Sequence, residues 1–365
     1  MRQVRGSFVV GVAALALAGL SLAACGNKTN NNTTASNTPS ASAGGTTSAA
    51  APSVKVGMAY DVGGRGDQSF NDAAARGLDK AKSDYGVAVK ELEATQGETD
   101  AQKEDRLRQL ADGGYNPIIA VGFAYAGPLG KVAKDYPDVK FAIIDDFTQG
   151  TDTGDNIANL TFAENEGSFL VGVAAALKSK TGHVGYIGGV NTPLLQKFQV
   201  GFQAGVKAVK PNDKVDIKYL TQPPDFGGFN DPAKGQTAAQ GMYDGGADII
   251  FAAAGGSGSG VFKSAKSAGK LAIGVDSDQY NQPALADVKS VIMTSMIKKV
   301  DVAVYDFITS VKNNQFVAGN KVYDLKAGGV DYATSGGMLD DIKSQIDAYK
   351  LKIIAGDIKV PATVS

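Results

Sequence analysis

From Val54 onward, short apolar runs alternate with amphipathic stretches. Val54, Val56, Met58 and Tyr60 alternate with smaller or polar residues around Gly57, which predicts an opening strand ending at Asp61. Val62 to Asp67 is too rich in glycine for regular structure, and Ser69-Phe70-Asn71-Asp72 leads into an Ala-rich helix over 73–82. Further strands are predicted over 87–92, 117–123 and 140–145, with helices over 99–111 and 129–135 between them. Such alternation implies a parallel sheet with helices on both faces, because right-handed crossovers join parallel neighbours. Ligands of such sheets sit beyond the carboxyl ends of the strands, so the first unit would bring Asp61, Ser69, Phe70 and Asn71 to one cleft mouth.

The series then recurs. Val184-Gly185-Tyr186 answers Val56-Gly57-Met58, Phe198 answers Phe70 and Gly205 answers Gly77, all 128 residues apart. Ile249-Ile250 answers Ile118-Ile119, and Asp276 answers Asp145, 131 residues apart. This repeat is far too long for a solenoid. It predicts an α/β fold of two similar Rossmann-like lobes with parallel sheets and a ligand cleft between them. The expected division is 54–160 with about 278–312 in the first lobe, and 161–277 with about 313–365 in the second. The first crossing is expected near Asn156 to Thr161 and the return after Asp276, with a helix over 339–349 and a strand-like 358–360 at the end. The third crossing is not assigned by the pattern.

Ahead of these lobes the character changes. Arg2 and Arg5 precede an apolar run, Phe8 to Leu20, too short to span a bilayer comfortably, so 1–24 reads as an export signal. It ends in Leu22-Ala23-Ala24-Cys25, which resembles the bacterial lipobox, where the Cys is acylated after cleavage. Cys25 is the only cysteine, which excludes an internal disulfide and fits lipidation. Residues 26–52 are Asn, Thr, Ser, Ala and Gly with hardly a bulky side chain, so 25–53 is expected to be a flexible tether.

Composition narrows the function. The chain carries 36 basic and 37 acidic residues for a net charge of -1, so no broad field attracts nucleic acid. Its 46 glycines in 365 residues exceed the usual share of about 7%, as expected where many loops approach a ligand. His183 is the sole histidine, so a His/Cys metal cluster cannot be built, and no nucleophile-base set stands out. No metal, no cofactor and no enzymatic activity are expected. The run Gly255 to Gly260 lacks the spacing of a phosphate cradle and reads as a tight loop that lets backbone amides approach a ligand. Arg65-Gly66-Asp67 spells an adhesion tripeptide, read here as coincidence.

Asp61, Phe70 and Asn71, the F-N-D-P-A-K-G run from Phe229, the loop from Gly255 and the G-V-D-S-D-Q run from Gly274 occur together and in order. In these motifs the chain resembles the basic membrane protein family of lipoproteins, substrate-binding components of ABC importers of the purine-nucleoside-receptor type. The resemblance runs from about Val54 to the C-terminus. It implies a type I periplasmic-binding-protein fold, monomeric, tethered by lipid to the extracytoplasmic face of the cell membrane. It also implies a purine nucleoside as ligand and permease subunits as partners. Carried over, the ligand-binding positions are Asp61, Phe70, Asn71, Gly122, Asp145, Phe229, Gly255, Asp276 and Lys298, with Cys25 lipidated. Phe70 and Phe229 would stack on the base, and carboxylates would accept the ribose hydroxyls. Here Pro223-Pro224-Asp225-Phe226 puts a second Phe close to Phe229, and the sequence leaves open which of the two stacks. A sugar or autoinducer receptor of the same fold, a nucleoside-processing enzyme and an adhesive lipoprotein are the alternatives. The lack of Trp argues mildly against a sugar platform.

Overall fold

Continuous apolar runs such as Ile118-Ile119-Ala120-Val121 are covered on both faces, the mark of interior strands in parallel sheets. The computed structural model describes residues 54–146 and 154–364; the expected export signal over 1–24, Cys25 and the expected tether over 25–53 lie outside them. One sheet consists of β1 (Lys55–Ala59), β2 (Ala88–Leu92), β3 (Ile118–Val121), β4 (Phe141–Ile144), β5 (Ile157–Phe162) and a late strand, β11 (Gly319–Tyr323). Its order is β2-β1-β3-β4-β5-β11, parallel throughout. The other sheet is built from β6 (His183–Val190), β7 (Lys214–Thr221), β8 (Ile249–Ala253), β9 (Leu271–Asp276), β10 (Ile292–Lys298) and β12 (Val330–Tyr332). Its order, β7-β6-β8-β9-β10-β12, repeats that of the first, with only β12 antiparallel.

The 128-residue spacing therefore superposes β1 on β6, and its glycines have a packing reason. In the first lobe α1 (Phe70–Tyr85) lies on α8 (Val300–Lys312), where a Cβ on Gly77 would come within 2.4 Å of the Asp301 carbonyl oxygen. In the second, α5 (Pro193–Val209) lies on α4 (Glu164–Lys178), where a Cβ on Gly205 would come within 2.0 Å of the Phe169 carbonyl oxygen. Both helix pairs approach through the missing side chain.

The lobe boundaries differ from expectation. Residues 157–162 form β5 of the first sheet, so the first crossing follows them at Ala163. β10, expected in the first lobe, pairs with β9 in the second sheet, and the chain returns only at Lys299, into α8. β11, expected in the second lobe, pairs with β5 in the first sheet, and the third crossing leads from it to β12. An apolar strand needs a neighbour on each side, but its own sequence does not say which sheet supplies them. The last helix, α9 (Lys343–Ala355), packs on α4 through a Tyr349–Phe169 ring contact at 5.8 Å. Residues 358–360 are not a strand; the Val360 carbonyl instead accepts the Asn165 side-chain amide.

Candidate ligand-binding cleft

Between β1 and α1 the glycine-rich loop is organised by one carboxylate. Asp67 accepts the backbone N–H groups of Ser69 (2.8 Å), Asn71 (2.8 Å) and Asp72 (3.1 Å), the amides that the first helical turn leaves without partners. Asp72 returns the favour to the N–H groups of Gly66 and Gln68. Asn71 is thereby fixed: its Oδ1 accepts the Asp61 N–H at 3.1 Å and its Nδ2 donates to Asp67 at 3.2 Å. The tripeptide dismissed as coincidence thus contains the residue that shapes the loop.

Two glycines make room for neighbours. Gly122 has φ +103°, and a Cβ there would lie 2.3 Å from Asp61 Oδ2. Gly255 has φ +53°, and a Cβ there would lie 3.0 Å from the Phe229 carbonyl oxygen. Both backbones are left-handed, where side chains are disfavoured.

Asp145 and Asp276, 131 residues apart at the ends of β4 and β9, share an uncommon left-handed backbone, with φ 72° and 62°. Asp276 Oδ2 accepts the Ser69 hydroxyl at 2.6 Å across the lobes, and Asp145 Oδ2 pairs with Lys298 at 2.5 Å. These contacts hold both carboxylates in their strained setting.

A cavity lies where these elements meet. All nine positions, Asp61, Phe70, Asn71, Gly122, Asp145, Phe229, Gly255, Asp276 and Lys298, line it. Phe229, not Phe226, is on its wall; Phe226 meets Phe123 of the other lobe edge-on at 5.7 Å. Phe123, Leu194, Leu195 and Phe198 also line the cavity and were missed by sequence reasoning. Only Phe198 carried a signal, its match to Phe70 in the repeat. The lobes are in contact here: Ser277 Oγ donates to the Ser69 carbonyl, Gln279 Nε2 to the Gln68 carbonyl, and Arg76 to Ser277 Oγ.

The cavity is apolar around fixed charges. Lys298, only 2% exposed, sits 4.9, 5.1 and 5.5 Å from the ring centres of Phe70, Phe162 and Phe198. Burial opposes its charge, but Asp145, Glu164 and Asp276 more than compensate and hold its pKa above the usual lysine range. Burial pushes Asp61 up to about 6 and Asp67 up to about 7. Burial likewise raises Asp145, with Lys298 pulling against it, and Asp276, against the pull of Lys298 and Ser69. His183 is away from the cavity wall, its Nε2 2.7 Å from Asp216. Among the described residues no group of three or more His, Cys, Asp or Glu could hold a metal ion, and no helix is long and apolar enough to cross a membrane.

Residues 54–364 match the family described as ABC transporter substrate-binding protein PnrA-like. The CD4+ T-cell-stimulating antigen of Listeria monocytogenes is 35% identical over 97% of this chain and 98% of its own length. ABC transporter nucleoside-binding protein BmpA of Lactococcus lactis is 33% identical over 97% of this chain and 99% of its own length. A crystal structure of an ABC transporter system solute-binding protein from Aeropyrum pernix is 30% identical, with a TM-score of 0.73 over 84% of this chain and 94% of that one. The two lobes and three crossings are thus those of a type I binding protein, and the chain belongs to the PnrA-like Bmp family of ABC transporter substrate-binding proteins.

Proposed function

We propose that this protein is a purine nucleoside receptor, lipid-anchored at Cys25 on the extracytoplasmic face of the membrane, which hands adenosine, guanosine or inosine to an ABC permease. The observation that carries this reading is a single cavity with a Phe from each lobe, Phe70 and Phe229, and the carboxylates Asp61, Asp145 and Asp276. In this reading the rings sandwich the flat base and the carboxylates accept the ribose hydroxyls. The protein acts by binding alone, as a monomer without cofactor. No arginine lines the cavity and carboxylates do, so a 5′-phosphate would meet like charge in a partly desolvated site.

The raised carboxyl pKa values give the binding a pH dependence. A carboxyl accepts a hydroxyl proton best when ionised, so nucleoside affinity falls as pH drops through the folded value of about 6 for Asp61. For the free protein the sign is opposite. A folded pKa raised above 3.8 contributes stability below about pH 4, which is lost as pH rises through about 6. Calorimetry with inosine is expected to give binding about tenfold weaker at pH 5 than at pH 8, the ionised fraction of one such group. Equal or tighter binding at pH 5 would remove the carboxylates from the ligand.

The anchor is tested separately. Cys25→Ser is expected to leave the lobes folded but to release the protein from the membrane or leave its signal uncut, because acylation needs the thiol. Unchanged membrane partitioning and processing in that variant would rule out the lipid anchor.

A further inference from the structure

Glu164 opens α4 directly after the first crossing and is fully enclosed, 0% exposed. Neither of its carboxylate oxygens accepts a hydrogen bond among the described residues, and it does not line the cavity. Such a group is costly unless cations compensate it. Two do: Lys298 Nζ lies 3.3 Å from Oε1, and Lys197 Nζ lies 2.8 Å from Oε2. A favourable helix N-terminus alone would not require this, since a first-turn carboxylate profits from the helix dipole while exposed.

The partners show what Glu164 is attached to. Lys197 lies on α5 of the second lobe. Lys298 ends β10 at the second crossing, and its other partner, Asp145, ends β4 of the first lobe. Lys197, Glu164, Lys298 and Asp145 thus form a line of alternating charge from one lobe, through two crossings, to the cavity wall of the other. Among the described residues, one of Lys298's three N–H groups donates a hydrogen bond, to Asp145. Asp145 Oδ1 accepts none among the described residues. Without a second anion the ammonium would be free to centre on Asp145, using both its own donors and the carboxylate that faces the cavity.

We propose that Glu164, which touches no ligand, is a positioning residue: it holds the Lys298 ammonium between two carboxylates so that an N–H faces the cavity and Asp145 keeps an open acceptor. Its seat at the first crossing ties this arrangement to the connection between the lobes. The inference rests on the nucleoside reading only for the choice of probe.

Three variants test it, Glu164→Gln, Lys298→Met and the double variant, each titrated with inosine. Glu164→Gln keeps the shape and removes the charge, and is expected to lower affinity about tenfold or more, the worth of one charged hydrogen bond. In the Lys298→Met background the same change should alter affinity less than twofold, because Glu164 acts through Lys298. A merely structural role would give equal losses in both backgrounds, which would overturn the proposal, as would wild-type affinity in Glu164→Gln. Should the Gln variant not fold, Glu164→Asp, which shortens the reach, is judged by the same comparison. A ligand-free arm separates this inference from the nucleoside reading. In the 15N-lysine spectrum, the Lys298 ammonium protons should exchange with water at least tenfold faster in Glu164→Gln than in the unaltered protein. An unchanged rate contradicts the positioning role even if inosine does not bind; a faster rate supports it even then.

Discussion

Replacing Asp276 with alanine is expected to weaken nucleoside binding by on the order of a hundredfold or more. Two losses combine. The carboxylate, 7% exposed at the end of β9, lines the cavity, and without it buried ligand hydroxyls would lack their acceptor. Its Oδ2 also accepts the Ser69 hydroxyl from the opposite lobe, so the variant would loosen the contact that brings α1 onto β9. The backbone is a separate matter, because φ is 62° and alanine tolerates that poorly. Asp276→Asn isolates the charge: Asn accepts a left-handed backbone, keeps one oxygen and loses the anion, and should fall between the two. Calorimetry with inosine on both variants measures the difference. Affinity unchanged in Asp276→Ala would remove this residue from the site.

Truncating Phe70 to alanine is expected to cost roughly 5- to 150-fold in nucleoside affinity, from a stacking worth of about 1–3 kcal/mol per base. The upper part of that range is the better expectation. Phe70 is half-buried, lines the cavity and has Lys298 Nζ 4.9 Å from its ring centre, so removing it strips the base of a platform and the ammonium of a ring face. Free ribose makes no use of a base platform, so its binding should change far less. A Phe70→Ala variant with inosine affinity within twofold of the unaltered protein would transfer the aromatic role elsewhere, and Phe198, which lines the same cavity from the second lobe, would be the next position to test.

Much of this arrangement was legible because its physics is local or repeated. Parallel strands covered on both faces are apolar runs, and the repeat of Val56, Phe70 and Gly77 as Val184, Phe198 and Gly205 follows from two sheets of one order and two helix pairs that touch through glycine. Asp145 and Asp276 are readable as strand ends, and their common left-handed backbone gives that equivalence a structural content. What was not legible depends on distant partners. β10 and β11 carry no mark of the sheet they join, since each is an ordinary strand whose neighbours, β9 and β5, lie elsewhere in the chain. Asp67 was hidden inside a tripeptide whose spelling suggested something else, while its work is to gather three backbone amides. Glu164 had no local signal either, because its place between Lys197 and Lys298 exists only once both crossings are folded. That Phe229 and not Phe226 lines the cavity depends on which ring the short helical turn Phe226–Phe229 directs at it, a matter of backbone direction that composition cannot express.

The central claim, that rings and carboxylates divide one nucleoside between them, is tested most directly by titrating the unaltered protein with inosine, adenosine, guanosine, ribose and adenosine monophosphate in one calorimetric series. The account predicts that the intact nucleosides bind, that ribose binds much more weakly for want of stacking, and that the monophosphate is rejected by the carboxylates. Tight binding of free ribose, with no gain from an attached base, would contradict it and make the protein a sugar receptor.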